Sequence, residues 1–174
     1  MTVDLLDFDS EDLYFDEALN SEAKQCLDSA AENYGDERAE KELLRAYFLE
    51  PEHPMILVAL YRYFYYQHRL PEALIVAERV LTVIGKRLEF PTDWRDLSEG
   101  RLGSGVMISM TLIRFYMLAL KGSGFLELRL GNYESALERL EKVAELDSKD
   151  RLGAQALLEV VRNALNCQTD SVSA

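Results

Sequence analysis

The stretch PMILVALYRYFYYQHRLPEALIVAERVLTVI, residues 54–84, restricts the fold more than any other part of this chain. Its first half places Leu57, Leu60, Tyr61 and Phe64 at i, i+3, i+4 and i+7, one face of an α-helix. Pro54 suits a first helical position, where the missing N–H has no intrahelical acceptor to lose. His68, Arg69, Leu70 and Pro71 interrupt the pattern. Pro71 cannot continue the first helix but can begin a second. There Ala73, Ala77, Val80 and Val83 form another apolar stripe. So short a gap obliges the two helices to run antiparallel and in contact, and two alanines let the backbones approach.

The same template recurs. Moved back 34 residues, the second stripe becomes Ala39, Leu43, Ala46 and Leu49, with Pro51 as a stop. The first stripe becomes Ala23, Cys26, Leu27 and Ala30, with Tyr34-Gly35 at the turn. Near the end, Ala136, Leu140, Val143 and Leu146 follow the turn Leu130-Gly131-Asn132-Tyr133, and Leu120, Ser123, Gly124 and Glu127 occupy the first-helix face. One further step gives Ala154, Leu157, Leu158 and Val161, a single amphipathic helix that Ser148 or Asp150 can cap. Self-similarity at such a period signals stacked helical pairs.

With Gly124, Tyr133 and Ala136 in GFLELRLGNYESALERLEKVAELD, and Ala39, Ala46 and Pro51 in AEKELLRAYFLEPEHP, the chain resembles the tetratricopeptide repeat (TPR) family. The resemblance implies an all-α fold of antiparallel hairpins stacked in a right-handed solenoid. Repeats would span about 20–53, 54–87 and 117–150, with a capping helix over 151–166. Residues 88–104, containing Pro91, Gly100 and Gly103, read as an irregular connection. Residues 105–130 read as one long central helix, apolar on nearly all sides through VMISMTLIRFYMLAL and so buried on more than one face. The tail 167–174 is polar and expected to be loose.

Residues 1–19 carry seven acids and no base, interleaved with Leu5, Leu6, Phe8, Leu13, Tyr14 and Phe15. Such a segment is either a solvated terminus or one that orders on a partner or on this protein's own groove.

At 174 residues the chain fits one domain with a sizeable core. A net charge of −12 argues against nucleic acid or anionic lipid held through a basic field. The N-terminus lacks a basic region followed by an apolar block, so no secretory signal is expected. The apolar run 106–120 is too short and too polar to span a bilayer. With only Cys26 and Cys167, far apart, a cytoplasmic location with reduced thiols is the simplest expectation.

No catalytic constellation stands out. His53 and His68 have no Cys or His at ligand spacing, so neither a metal site nor a cofactor is expected. Gly100-Arg101-Leu102-Gly103-Ser104-Gly105 lacks the Lys-Ser/Thr ending of a phosphate loop and reads as a hinge before a helix. An enzyme site in the loop 89–105 is the weakest option, for want of a nucleophile or base in suitable company.

In TPR arrays the first helices line a concave groove. By that resemblance the groove residues are Arg62, Tyr65, Tyr66, Arg69, Lys121, Phe125 and Arg129, with Trp94 as a loop contact or simply a loop anchor. Tyrosine and arginine are enriched at interface hot spots. The expected function is a non-catalytic adaptor or assembly chaperone holding a peptide or helix of a partner protein. The alternative is a structural homo-oligomer assembled through the apolar helix 106–120.

Overall fold

The computed structural model describes residues 15–172, and the side chains of residues 15–168. All but the last five residues of the acidic 1–19 segment lie outside that range. Among the described residues the fold is all-α, with no strand. Helices α1 (Ser21–Glu32) and α2 (Glu37–Leu49) form a first antiparallel pair, and α3 (Pro54–Tyr66) and α4 (Leu70–Arg87) a second. A single 3₁₀ turn (Trp94–Asp96) and the short α5 (Glu99–Val106) follow. Helix α6 (Met110–Arg129) pairs with α7 (Tyr133–Leu146), and α8 (Ala154–Val172) packs on α7.

Each pair forms where its stripes require. Leu57, Leu60, Tyr61 and Phe64 are all buried, and so are Ala73, Ala77, Val80 and Val83. In the first pair Ala23, Cys26, Ala30, Ala39, Leu43 and Ala46 are buried, while Leu27 and Leu49 are half-buried. Helix ends are set by local chemistry. Asn20 and Asp36 accept backbone N–H groups at the starts of α1 and α2. Gly35 and Gly131 carry φ of 101° and 82° in the turns after α1 and α6, a region that favours glycine. Asp150 accepts from the Gln155 N–H at the start of α8.

Pairs join through the second helix of one and the first of the next. Helix α2 contacts α3, and α4 lies along α6. Tyr116, early in α6, meets Gly85, late in α4, where a Cβ would fall 3.1 Å from the ring. At the other end Tyr65, closing α3, lies beside Phe125, late in α6. Helix α6 thus runs antiparallel to α4 and meets α3 near the C-terminal ends of both. It also touches α5, α7 and α8, which accounts for its all-round apolar sequence.

The expected helix over 105–130 divides in two. Met107 and Ile108 leave the helical path, and the Ser109 hydroxyl accepts the Leu112 N–H to start α6 afresh. The glycines at 100–105 lie inside α5 rather than in a hinge. Gly105 is there for contact: a Cβ would come within 2.8 Å of the Phe90 ring. The final helix continues to Val172, past the boundary expected at 166.

Residues 88–98 are pinned rather than loose. Leu88, Phe90, Trp94 and Leu97 are buried. Phe90 meets Tyr116 edge-on at 5.0 Å. The Arg95 guanidinium pairs with Glu138 at 2.8 Å, and Lys142 donates to the Leu97 carbonyl at 3.2 Å. Trp94 is therefore a loop anchor on α7, with the guanidinium groups of Arg95 and Arg139 at 4.3 and 5.3 Å from its ring.

A buried polar cluster joins α4, α6 and α7. Glu127, at a position where an apolar residue would be usual, accepts from Asn132 at 2.7 Å and Ser135 at 3.0 Å. Arg139 donates to Ser123 at 3.0 Å and pairs with Glu78 at 2.5 Å and Glu127 at 3.7 Å. Beside it, a Cβ on Gly124 would lie 2.9 Å from Leu140 Cγ, so the glycine sets the distance between α6 and α7.

Candidate protein-binding face

Helices α3 and α6 both pack on α4 and meet near their C-terminal ends, and their registers decide what they present there. On α3, Val58, Arg62, Tyr65 and Tyr66 share a stripe at spacings of four, seven and eight; the first three are half-buried and Tyr66 is 44% exposed. On α6, Arg114, Leu118, Phe125 and Arg129 share another, with Arg114 and Arg129 exposed and the two apolar residues half-buried. The stripes meet at Tyr65 and Phe125, ring centroids 6.4 Å apart. Tyr65 also lies parallel to Tyr61 at 6.3 Å and edge-on to Tyr66 at 5.4 Å, and the Arg129 guanidinium lies 5.8 Å from the Phe125 ring. Tyr65, Tyr66 and Phe125, backed by the buried Tyr61 and bordered by cationic side chains, thus bring together helices about 60 residues apart in sequence.

Of the expected groove residues, Arg62, Tyr65, Tyr66, Phe125 and Arg129 belong to this surface. Arg69 does not. It turns towards α2 and α4, pairing with Glu40 at 2.7 Å and Glu72 at 2.9 Å over the Phe64 ring, and its guanidinium holds the Glu72 carboxyl below its ordinary value. Lys121 is also excluded: its side chain is buried and donates to the Leu152 carbonyl. Burial lowers the Lys121 ammonium to about 8, against the opposing pull of Asp150 and Asp147. Trp94, buried against α7, is no loop contact. The apolar run 106–120 offers no continuous seam either, because Ile113, Phe115, Tyr116, Met117, Ala119 and Leu120 are buried; Val106, Met107, Ile108 and Met110 remain exposed at the α5–α6 corner.

Two features escaped sequence reasoning. Arg114 and Leu118 join the face; their spacing to Phe125 and Arg129 was the available signal. The second lies between α2, α3 and α4, a cavity of about 230 Å³ lined by Leu44, Tyr47, Leu60, Phe64, Ile75 and Val76 among others. Ile75 in its lining is 68% exposed, and Phe48, next in sequence to the lining residue Tyr47, 85%. Both are large apolar residues outside the buried stripes, which was the only hint.

The described residues before α1, from Phe15 on, are seated on the molecule. His53 Nδ1 accepts the Met55 N–H at 3.2 Å, which leaves Nε2 to donate to the Glu17 carbonyl at 3.3 Å. The Glu17 carboxylate pairs with Arg87, whose guanidinium also donates to the Glu52 carbonyl at 3.0 Å. Phe15 meets Phe115 edge-on at 5.5 Å.

Among the described residues no cluster of three or more His, Cys, Asp or Glu could hold a metal ion, and no helix is long and apolar enough to cross a membrane. Burial, then Glu42, pushes the Cys26 thiol up, away from the nucleophilic thiolate.

No protein-family model and no solved structure matches this chain. It is 46% identical over 159 residues, covering 91% of this chain and 89% of the relative, to a protein of Azotobacter chroococcum mcd 1 described as an uncharacterized 19.8 kDa protein in the nifW 5′ region. The chain belongs to the same family as that protein.

Proposed function

We propose that this protein is a non-catalytic adaptor or assembly chaperone of the tetratricopeptide type, acting in the cytoplasm, which holds a peptide or helix of a partner protein against the α3/α6 face. In this reading the pairs α1/α2, α3/α4 and α6/α7 are the units of a right-handed solenoid capped by α8, and α3 and α6 are neighbouring first helices on its inner side. The observation that carries it is the Tyr65–Phe125 contact, bordered by Arg62, Tyr66 and Arg129. Aromatic and arginine side chains are the types that dominate interface energetics. A surface already built from packed helices has little to order when it binds.

The relative's place in the nifW 5′ region supplies one concrete bait, the product of nifW. The test is co-purification from the native host, and with that product, using the unaltered protein and Arg62→Ala/Tyr65→Ala. The double variant should keep its helicity and lose its partner. An unchanged partner set on a folded variant removes the face assignment.

A further inference from the structure

We propose that the cavity between α2, α3 and α4 is a contact between two copies of this chain, in which Phe48 of each copy enters the cavity of the other. Leu60 and Phe64 of α3, both buried, form its floor. Leu44 and Tyr47 of α2 form one wall, and Ile75 and Val76 of α4 the other. Phe48 lies one turn beyond Leu44 on the same side of α2, and 85% of it is exposed. Leu44, Phe48 and Ile75 thus expose apolar surface together around one opening, and a grouped apolar patch marks an interaction site where single exposed residues do not.

Size and shape select the occupant. The cavity measures about 230 Å³, and roughly 150 Å³ lined by aliphatic and aromatic side chains is enough to take up a benzene ring. One face therefore carries both a projecting ring and a space for one. In a two-fold contact the same patch serves both copies, residue i on j and j on i, so a second copy supplies both halves at once. Charge selects the same occupant. The chain carries −12 overall, so two copies repel wherever acids crowd. Helices α2 and α4 do not share that excess: α2 has three Lys or Arg against three Glu, and α4 three against two, a surplus of one cation. The rim charges are already paired, Arg79 with Glu52 at 3.6 Å and Glu72 with Arg69 at 2.9 Å, so covering the cavity strands neither. None of Arg62, Tyr65, Tyr66 and Phe125 lines it. The dimer therefore does not draw on the α3/α6 face, and the inference stands apart from the adaptor reading.

The test is sedimentation equilibrium of the full chain across micromolar concentrations, beside Phe48→Asp and Ile75→Lys. Both side chains are exposed, so each variant should keep its helicity by circular dichroism. The unaltered protein should pass from monomer to dimer as concentration rises. Each variant alone should weaken the dimer by about 100-fold or more, because every change counts twice in a two-fold contact. An equimolar mixture of the two variants should dimerise again. One of its two contacts keeps Phe48 on Ile75, and the other sets the introduced carboxylate against the introduced ammonium. A monomer at every concentration overturns the proposal. So does a dimer that survives Phe48→Asp and is dispersed by Met107→Ser, which places the seam at the α5–α6 corner. Variants that leave the mass unchanged but release a captured protein assign the face to that protein and overturn the second copy. Variants that each weaken the dimer yet stay monomeric when mixed overturn the reciprocal arrangement.

Discussion

The Tyr65 ring, on the last turn of α3, lies 6.4 Å from the Phe125 ring of α6. This contact makes one surface from two helices that never follow each other in sequence. Aromatic pairs of this kind are worth roughly 0.5–1.5 kcal/mol beyond the area they bury. A double-mutant cycle on Tyr65→Ala and Phe125→Ala, read by urea unfolding, should show coupling of that order. Each single variant should also weaken partner capture, whereas Arg69→Ala should leave it unchanged, because Arg69 braces α2 against α4.

Arg139 is the cation of the cluster between α4, α6 and α7. Removing one member of a buried, bonded pair leaves the other charged and unsatisfied, at a cost of about 3–5 kcal/mol. Part of that cost escapes here because Glu78 is partly exposed. Arg139→Met should lower stability by about 3 kcal/mol, and adding Glu127→Gln should recover part of the loss. Thermal or urea unfolding of the two variants decides this, and full additivity would contradict it.

Lys121 imposes a pH dependence of known sign. Its folded value of about 8 lies below the unfolded value of about 10.4. Protonation thus favours the unfolded chain: Lys121 opposes folding in full below about pH 8, and that opposition fades as pH rises towards 10.4. The full effect is on the order of 3 kcal/mol. Lys121→Met removes it and loses the bond to Leu152. The stability difference, variant minus unaltered protein, should therefore be largest near pH 7 and shrink by pH 10, measured as urea midpoints of both proteins at each pH.

Gly124 and Gly103 should respond oppositely to alanine. Both are helical, and alanine is favoured over glycine in a helix by about 1 kcal/mol. A Cβ at Gly103 meets nothing within 4 Å, so Gly103→Ala should be neutral or stabilising. At Gly124 it would press on Leu140 Cγ at 2.9 Å, and overpacking of this kind costs about 1–3 kcal/mol. Gly124→Ala should therefore lower the melting temperature.

The helical pairs were legible because a helix that must bury one face writes its period into the chain. Leu57, Leu60, Tyr61 and Phe64 declared α3, and Ala136, Leu140, Val143 and Leu146 declared α7, before any contact was known. Glu127 and Gly124, on the first-helix face of the last pair, mark positions where a second helix supplies a partner or demands space. The break at Met107–Ser109 was not legible, since an apolar run reads alike whether one helix carries it or two.

The binding face divides along the same line. Sequence alone determined that Arg62, Tyr65, Tyr66, Phe125 and Arg129 stand off the innermost stripes of their helices, because angular position on a helix follows from spacing. Only the tertiary structure decided that Tyr65 of α3 meets Phe125 of α6, that Lys121 turns inward to Leu152, and that Arg69 turns to Glu40. Those outcomes depend on which helices become neighbours, and a neighbour is fixed by the packing of the whole chain rather than by the residues next in line.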